Sequence, residues 1–337
     1  MFGLFDKTPS KTAVSARLQA GCFGKMPIHS DFIRYNLAIR EASNFEKWLQ
    51  EGVSNIARKH PKGWPSVYRS FPMHHFVLSG NEHERSLIGC LTSSRDKSGR
   101  IYPFSILATT ANDVYHTNRA SLPLIHRTYF QKAEALLNST KELSSVPALL
   151  EKLDALGTDI PMYTPQELVK QQIRLLETIP LKNYWCGLQA QVTAREQFWC
   201  AFYDIMKTVQ NRGPSRTNWG IRIPIPAEDD QTHYVVFWVQ MIEAILEDRI
   251  WRAQYFWSKG NADHPACITL FFKPLPPSYL LPLLNQELND NTIFDLGCEW
   301  PTLQTFTSRV DLRRLLEKDS IPMLDVLYRT GRREMLL

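Results

Sequence analysis

Residues 21–34 read Gly-Cys-Phe-Gly-Lys-Met-Pro-Ile-His-Ser-Asp-Phe-Ile-Arg, so two glycines and a proline alternate with the charged residues Lys25, Asp31 and Arg34. Glycine permits a positive φ and the close approach of a neighbouring strand, whereas proline fixes φ at about −65°. The run therefore predicts a loop with a fixed path. Its charged side chains are candidates for contact with a partner.

A second run of this kind occupies residues 93–104 and reads Ser-Ser-Arg-Asp-Lys-Ser-Gly-Arg-Ile-Tyr-Pro-Phe. The spacing from Asp96 to Gly99 is typical of a turn that ends at a positive φ. Arg100 follows this turn, where it can pair with an acid or bind an anion. The alternative interpretation is a solvated hairpin tip without a binding role.

Both runs resemble signatures of the TagF family, also called ImpM, whose members are accessory proteins of the bacterial type VI secretion system. The first family signature is Gly-x-Phe/Tyr-Gly-Lys-Leu-Pro-x-x-Gly-Asp-Phe-x-x-Arg; here Met26 replaces the leucine, Ser30 replaces the last glycine, and one residue instead of two separates Phe32 from Arg34. The second, Ser-x-Asp-x-x-Gly-Arg-x-Phe/Tyr-Pro-Leu/Phe, matches at every named position. A looser likeness to the closing family signature, with Pro274 in place of a glycine, extends the resemblance to about residue 284.

The resemblance implies a non-catalytic cytoplasmic protein that holds type VI secretion inactive after translation. Members of the family do so by binding the forkhead-associated (Fha) scaffold protein, which is therefore the expected partner. The candidate partner-binding or signature residues are Lys25, Asp31, Arg34, Asp96, Arg100, Tyr255 and Trp257.

The sequence contains no phosphate-binding glycine loop, dinucleotide-binding motif, Gly-x-Ser-x-Gly elbow or His-Glu-x-x-His pair. It also contains no Asp-Gly pair, the metal motif of the phosphatase to which some relatives are fused. We therefore expect no enzyme, cofactor or metal. The alternative is an unrecognised hydrolase or nucleotide-binding enzyme that uses Asp31, Asp96 and Arg100.

Composition agrees with a globular protein in a reducing compartment. The chain has 337 residues, 44% apolar content and a net charge of +5, with its charges dispersed, so neither nucleic acid nor an anionic membrane is an expected partner. Its six cysteines are spaced singly, which favours buried free thiols. Neither an export signal nor an apolar run long enough to cross a membrane is visible, so a cytoplasmic location is expected.

The spacing of apolar residues predicts a mixed α/β fold of the α+β type, in which antiparallel sheets pack with helices around a helical middle segment. Three β-rich runs between residues 76 and 109 predict a meander, and residues 252–258 and 266–272 predict a hairpin. Prolines in the strand at residues 219–226 indicate an edge strand or a strand end.

Helix starts are predicted at two capping boxes, Ser43 with Glu46 and Thr164 with Glu167. From these patterns we divide the chain into an N-terminal segment at 1–18, a TagF-like domain at 19–285, and a C-terminal extension of unknown role at 286–337. The TagF-like domain is predicted to be β-rich at 19–112, helical at 113–212 and α/β at 213–285.

Charge pairing predicts that Lys25, Asp31, Asp96 and Arg100 form one polar neighbourhood, because an unpaired charge partly withdrawn from water is costly. Such a cluster either pins the two loops to the sheet or binds a partner.

The Tyr255–Trp257 region allows two orientations, since alternate strand residues face opposite sides. Either Tyr255 and Trp257 are exposed as interface anchors, or Trp257 lies in the core.

Overall fold

The computed structural model describes residues 15–62, 64–80, 84–110, 118–157, 159–161, 163–190, 192–247, 251–288, 291–297 and 320–331. Most of the predicted N-terminal segment and much of the predicted C-terminal extension lie outside these ranges. Within them the predicted mixed α/β fold, with mostly antiparallel strands, is confirmed.

The described strands form one large sheet and one small pair. In chain order they are β1 Ser15–Arg17, β2 Ala20–Gly24, β3 Ile33–Tyr35, β4 His74–Leu78, β5 Leu87–Thr92, β6 Phe104–Thr109, β7 Asp159–Pro161, β8 Gly220–Pro224, β9 Gln254–Ser258, β10 Cys267–Phe271 and β11 Ile293–Asp295. β1 pairs with β7, and the others form a nine-stranded sheet in the order β11-β8-β10-β9-β4-β5-β6-β2-β3. The predicted meander (β4, β5 and β6) and the predicted hairpin (β9 and β10) are both confirmed.

Helices cover both faces of this sheet. In chain order they are α1 Arg40–Lys59, α2 Trp64–Ser70, α3 Leu122–Ile125, α4 Arg127–Asn138, α5 Val146–Ala155, α6 Pro165–Glu177, α7 Leu181–Gly187, α8 Val192–Arg212, α9 Thr232–Leu246, α10 Leu280–Leu284 and α11 Met323–Gly331. One hydrophobic cluster joins α1, α2 and α10 to one face, and a larger cluster joins the helical middle segment, α9 and α11 to the other. Successive strand residues alternate between the clusters, as Phe76 and Val77 do.

The two predicted helix starts had different outcomes. Thr164 and Glu167 form the predicted capping box, in which each side chain accepts a hydrogen bond from the other residue's backbone N–H. The capping box at Ser43 and Glu46 was wrong. α1 begins one turn earlier with Ile39 as its N-cap, so the backbone N–H of Ser43 already donates to the carbonyl of Ile39, at 3.0 Å.

Part of the predicted C-terminal extension belongs to this fold. β11 pairs in parallel with β8, so β8 is an internal strand and its Pro224 marks a strand end. α11 packs against α6 and α9. The sequence assigned no role to this region, and the structure gives it a place in the sheet and in the core.

Of the two orientations left open for the Tyr255–Trp257 region, the one with Trp257 in the core is found, and the exposure of Tyr255 and Trp257 was wrong. Both side chains are buried in β9, and Phe256 between them is buried against the opposite face. The ring centroid of Trp257 lies 5.1 Å from that of His75 and 4.9 Å from that of Phe130. Because helices cover both faces of the sheet, neither orientation of β9 leaves an aromatic side chain in water.

Trp257→Ala is therefore expected to lower the free energy of unfolding by about 3–5 kcal/mol, the usual cost of removing a buried aromatic side chain. Urea denaturation would measure this loss. As a control, Tyr328→Ala removes an exposed ring on α11 and should change stability by no more than about 0.5 kcal/mol. An unchanged unfolding midpoint for Trp257→Ala would contradict the core position.

Two further properties bear on the sequence predictions. Cys22, Cys90, Cys200 and Cys267 are buried free thiols, and Cys186 is an exposed one. None of the helices that the structure describes has the length and apolar character needed to cross a membrane.

Candidate functional site

The two runs singled out in the sequence lie against each other at one end of the nine-stranded sheet. We call them the first signature loop, residues 21–34, and the second signature loop, residues 93–104. The backbone N–H of Lys97 donates to the carbonyl of His29 at 2.9 Å, and β2 pairs with β6 from Ala20 to Gly24. The loops are therefore joined by backbone contacts as well as by their side chains.

Asp96 is the centre of the polar contacts between the loops. Asp96 is only 2% exposed. Its Oδ2 accepts hydrogen bonds from Lys25 Nζ at 3.0 Å and from Arg100 Nε at 2.6 Å. Its Oδ1 accepts from the backbone N–H groups of Ser98 and Arg100, both at 2.9 Å. Both carboxylate oxygens are thus engaged by two donors each.

These donors determine the charge state of Asp96. Burial opposes ionisation of the carboxyl, but the hydrogen bonds from Lys25 and Arg100 outweigh it and hold the pKa of Asp96 well below its usual range. A carboxylate that stays ionised and has its acceptor sites occupied is poorly suited to take a proton from a substrate. Asp96 acts here as a clamp between the loops.

Arg100 and Arg34 are anchored in the same way and point outward. Arg100 donates from Nε to Asp96 and from Nη2 to the carbonyl of Ser30. Arg34 in β3 donates from Nη2 to Glu46 of α1, at 2.8 Å, and Glu46 is itself buried. Both arginine side chains nevertheless remain more than half exposed.

Phe32 lies beside these arginines, and the sequence reasoning did not select it. Its ring stacks on Phe23 at 5.6 Å and meets the edge of Tyr102 at 4.8 Å, measured between ring centroids. Lys25 Nζ lies 5.0 Å from the Phe32 ring centroid, within the range of a cation–π contact. Phe32 is 36% exposed, which makes it one of few large apolar side chains on the described surface. The sequence feature that could have identified Phe32 is its position inside the first family signature.

Asp31 does not join the cluster, so the prediction of one neighbourhood for all four charges was wrong for this residue. Its carboxylate is exposed and accepts a hydrogen bond from the backbone N–H of Phe32, at 2.8 Å. Arg100 reaches the carbonyl of the preceding Ser30 instead. In the described structure Asp31 therefore shares no hydrogen bond or ion pair with Asp96 or Arg100, the other two residues of the hydrolase alternative.

Two adjacent histidines, His74 and His75, lie in β4. His74 and His75 point to opposite faces of β4, as neighbouring strand residues must. His74 accompanies Phe71 on one face, and His75 Nε2 lies 3.2 Å from Glu134 on the other. In the part of the chain that the structure describes, no group of three or more His, Cys, Asp or Glu side chains could hold a metal ion.

Comparison with known proteins identifies the region that contains both loops. Residues 21–156 match the family model described as the TagF N-terminal domain, associated with the type VI secretion system. No curated protein sequence matches the chain. Among solved structures, the crystal structure of PA0076 from Pseudomonas aeruginosa PAO1 is similar, with 15% identity, a TM-score of 0.47, and coverage of 84% of this chain and 100% of that one.

Proposed function

We propose, on the premise that residues 21–156 match the TagF N-terminal domain associated with the type VI secretion system, that the protein is a non-catalytic cytoplasmic regulator of that system. It represses assembly of the apparatus after translation by binding the Fha scaffold protein. The observation that carries the proposal is the family match, because the matched region contains both signature loops.

The geometry of the loops supports a binding role. A surface whose side chains are held in place before binding loses less conformational entropy when a partner docks. Lys25 and Asp96 are buried and serve as positioning residues, whereas Asp31, Arg34 and Arg100 are exposed and available for contact. We do not include Tyr255 and Trp257 among the proposed partner-binding residues, because both are buried.

Deleting the protein is expected to raise type VI secretion, and overproducing it to lower secretion at unchanged transcript levels, since a protein-binding repressor acts after translation. Secretion assays with transcript quantification would measure both effects. The purified chain is also expected to co-purify with the cognate Fha protein. A fall in secretion on deletion would instead indicate a required assembly factor, and absence of an Fha complex would refute the proposed partner.

A further inference from the structure

We propose that Phe32, Arg34 and Arg100 form a docking surface for an acidic protein segment, in which carboxylate side chains flank an apolar residue. We call it the Arg-Phe-Arg surface. The inference rests on the proposed function only for the name of the partner. The chemistry of the partner segment is inferred from the side chains of the surface.

Charge is the first argument for an acidic occupant. The exposed charged groups of the two signature loops are the cations Arg34, Arg95, Lys97 and Arg100, against the single acid Asp31. The acids nearest to the arginines, Asp96 and Glu46, are buried and already paired with them. The loops therefore present excess positive charge, which complements a negatively charged segment.

The geometry of the arginines is the second argument. A guanidinium carries five N–H donors in a planar fork. Arg34 commits Nη2 to Glu46, and Arg100 commits Nε and Nη2 to Asp96 and Ser30. Each head group is thereby oriented while other donors stay available on a side chain that is more than half exposed.

The same pairing favours carboxylates over phosphate. Arg34 is paired with the buried Glu46, and Arg100 shares the buried Asp96 with Lys25, so an approaching anion meets a carboxylate close to each guanidinium. A singly charged carboxylate is repelled less by these acids than a phosphate group of about −1.5 to −2. We therefore assign the surface to aspartate or glutamate side chains of a protein.

Phe32 supplies the apolar part of the surface. It immediately precedes β3, and its ring stacks on Phe23, the β2 residue that pairs with Arg34, and meets the edge of Tyr102. An occupant that brings an apolar side chain between its carboxylates can therefore pack on the exposed Phe32 ring.

The test uses a short fluorescein-labelled peptide of alternating glutamate and leucine, with fluorescence anisotropy as the measurement. We expect the full-length protein to bind this peptide, to bind it more weakly as salt rises, and not to bind the glutamine counterpart. Phe32→Ala and Arg100→Ala should each weaken binding at least about tenfold, as loss of a central anchor does. Phe32→Ala removes no hydrogen bond, so it tests the surface even if Arg100→Ala fails to fold.

Phe294→Ala is the matched control, because Phe294 is 37% exposed and lies in β11 at the opposite edge of the same sheet. It should leave binding unchanged. Equal binding of the glutamine peptide, an equal loss in Phe294→Ala, or much tighter binding of a phosphothreonine peptide would each overturn the assignment.

Repeating the measurement with the cognate Fha protein separates this inference from the proposed function. If Fha binds the wild-type chain and Phe32→Ala has no effect, the docking surface is wrong and the proposed function stands. If the acidic peptide depends on Phe32 but Fha does not bind, the surface stands and the proposed partner is wrong.

Discussion

Replacing Gly24 with alanine is expected to lower the free energy of unfolding by about 2–5 kcal/mol, through backbone strain and overpacking together. Gly24 has a φ of +135°, which residues with a Cβ rarely adopt. A Cβ built at this position would lie 2.0 Å from the carbonyl oxygen of Pro103 and 2.7 Å from the Cα of Phe104. Both atoms belong to backbone, so β2 and β6 would have to separate where the two signature loops meet.

Gly99→Ala is the matched control for this effect. Gly99 also has a positive φ, of +85°, but a Cβ there would meet no atom within 4 Å. Gly99→Ala should lower the free energy of unfolding only through backbone strain, by about 1–2 kcal/mol. Urea denaturation of the two variants would measure the difference. Equal losses would contradict the role assigned to the contact between Gly24 and Pro103.

Asp295→Ala is expected to destabilise the protein by about 3–5 kcal/mol, because it leaves a buried arginine without its counter-charge. Arg222 of β8 is 1% exposed and donates from Nη1 to Asp295 Oδ2 at 3.1 Å. Its other donors reach Thr269 Oγ1 and the carbonyl of Pro282. These neutral acceptors do not replace the lost carboxylate.

A double variant tests whether the loss comes from the unpaired charge. Asp295→Ala combined with Arg222→Met removes both charges, and replacing a buried pair by apolar groups is often tolerated. The double variant should therefore unfold at a higher urea concentration than Asp295→Ala alone. If the double variant lost as much stability as Asp295→Ala and Arg222→Met lose when added together, the two side chains would be acting independently.

Much of the sheet could be predicted because its strands are short apolar runs separated by polar turns, as in β4, β5 and β6. The start of α1 was misplaced because Ser43 and Glu46 have the spacing of a capping box but lie within the helix. Glu46 instead accepts a hydrogen bond from Arg34 in β3. The local spacing of residues does not reveal a contact of this kind, between two separate elements.

The side chains of β9 illustrate a second limit. Strict alternation predicts one buried and one exposed face, and it assigned Tyr255 and Trp257 to a single side correctly. It could not show that helices cover both sides. The nearly continuous apolar character of β9 and β10 was the available signal, since strands buried on both faces lose the polar alternation.

For the candidate site, the sequence indicated which charges matter but not which of them meet. The second signature loop turns around Asp96, whose carboxylate accepts hydrogen bonds from the backbone N–H groups of Ser98 and Arg100. The same carboxylate pairs with Lys25 of the first signature loop. Asp31 was assigned to the cluster from charge alone. Its carboxylate is satisfied locally by the N–H of Phe32, which leaves the phenylalanine ring at the surface.

The pairing of β4 with β9 also determines the order in which this protein can fold. Val77 pairs with Tyr255, although the whole helical middle segment separates β4 from β9 in the chain. During synthesis β4 therefore emerges long before β9 and keeps one backbone edge unpaired until β9 has been made. Closing so long a loop slows folding, and an open strand edge favours aggregation in the meantime. A fragment that ends with the matched domain at residue 156 would retain that open edge permanently.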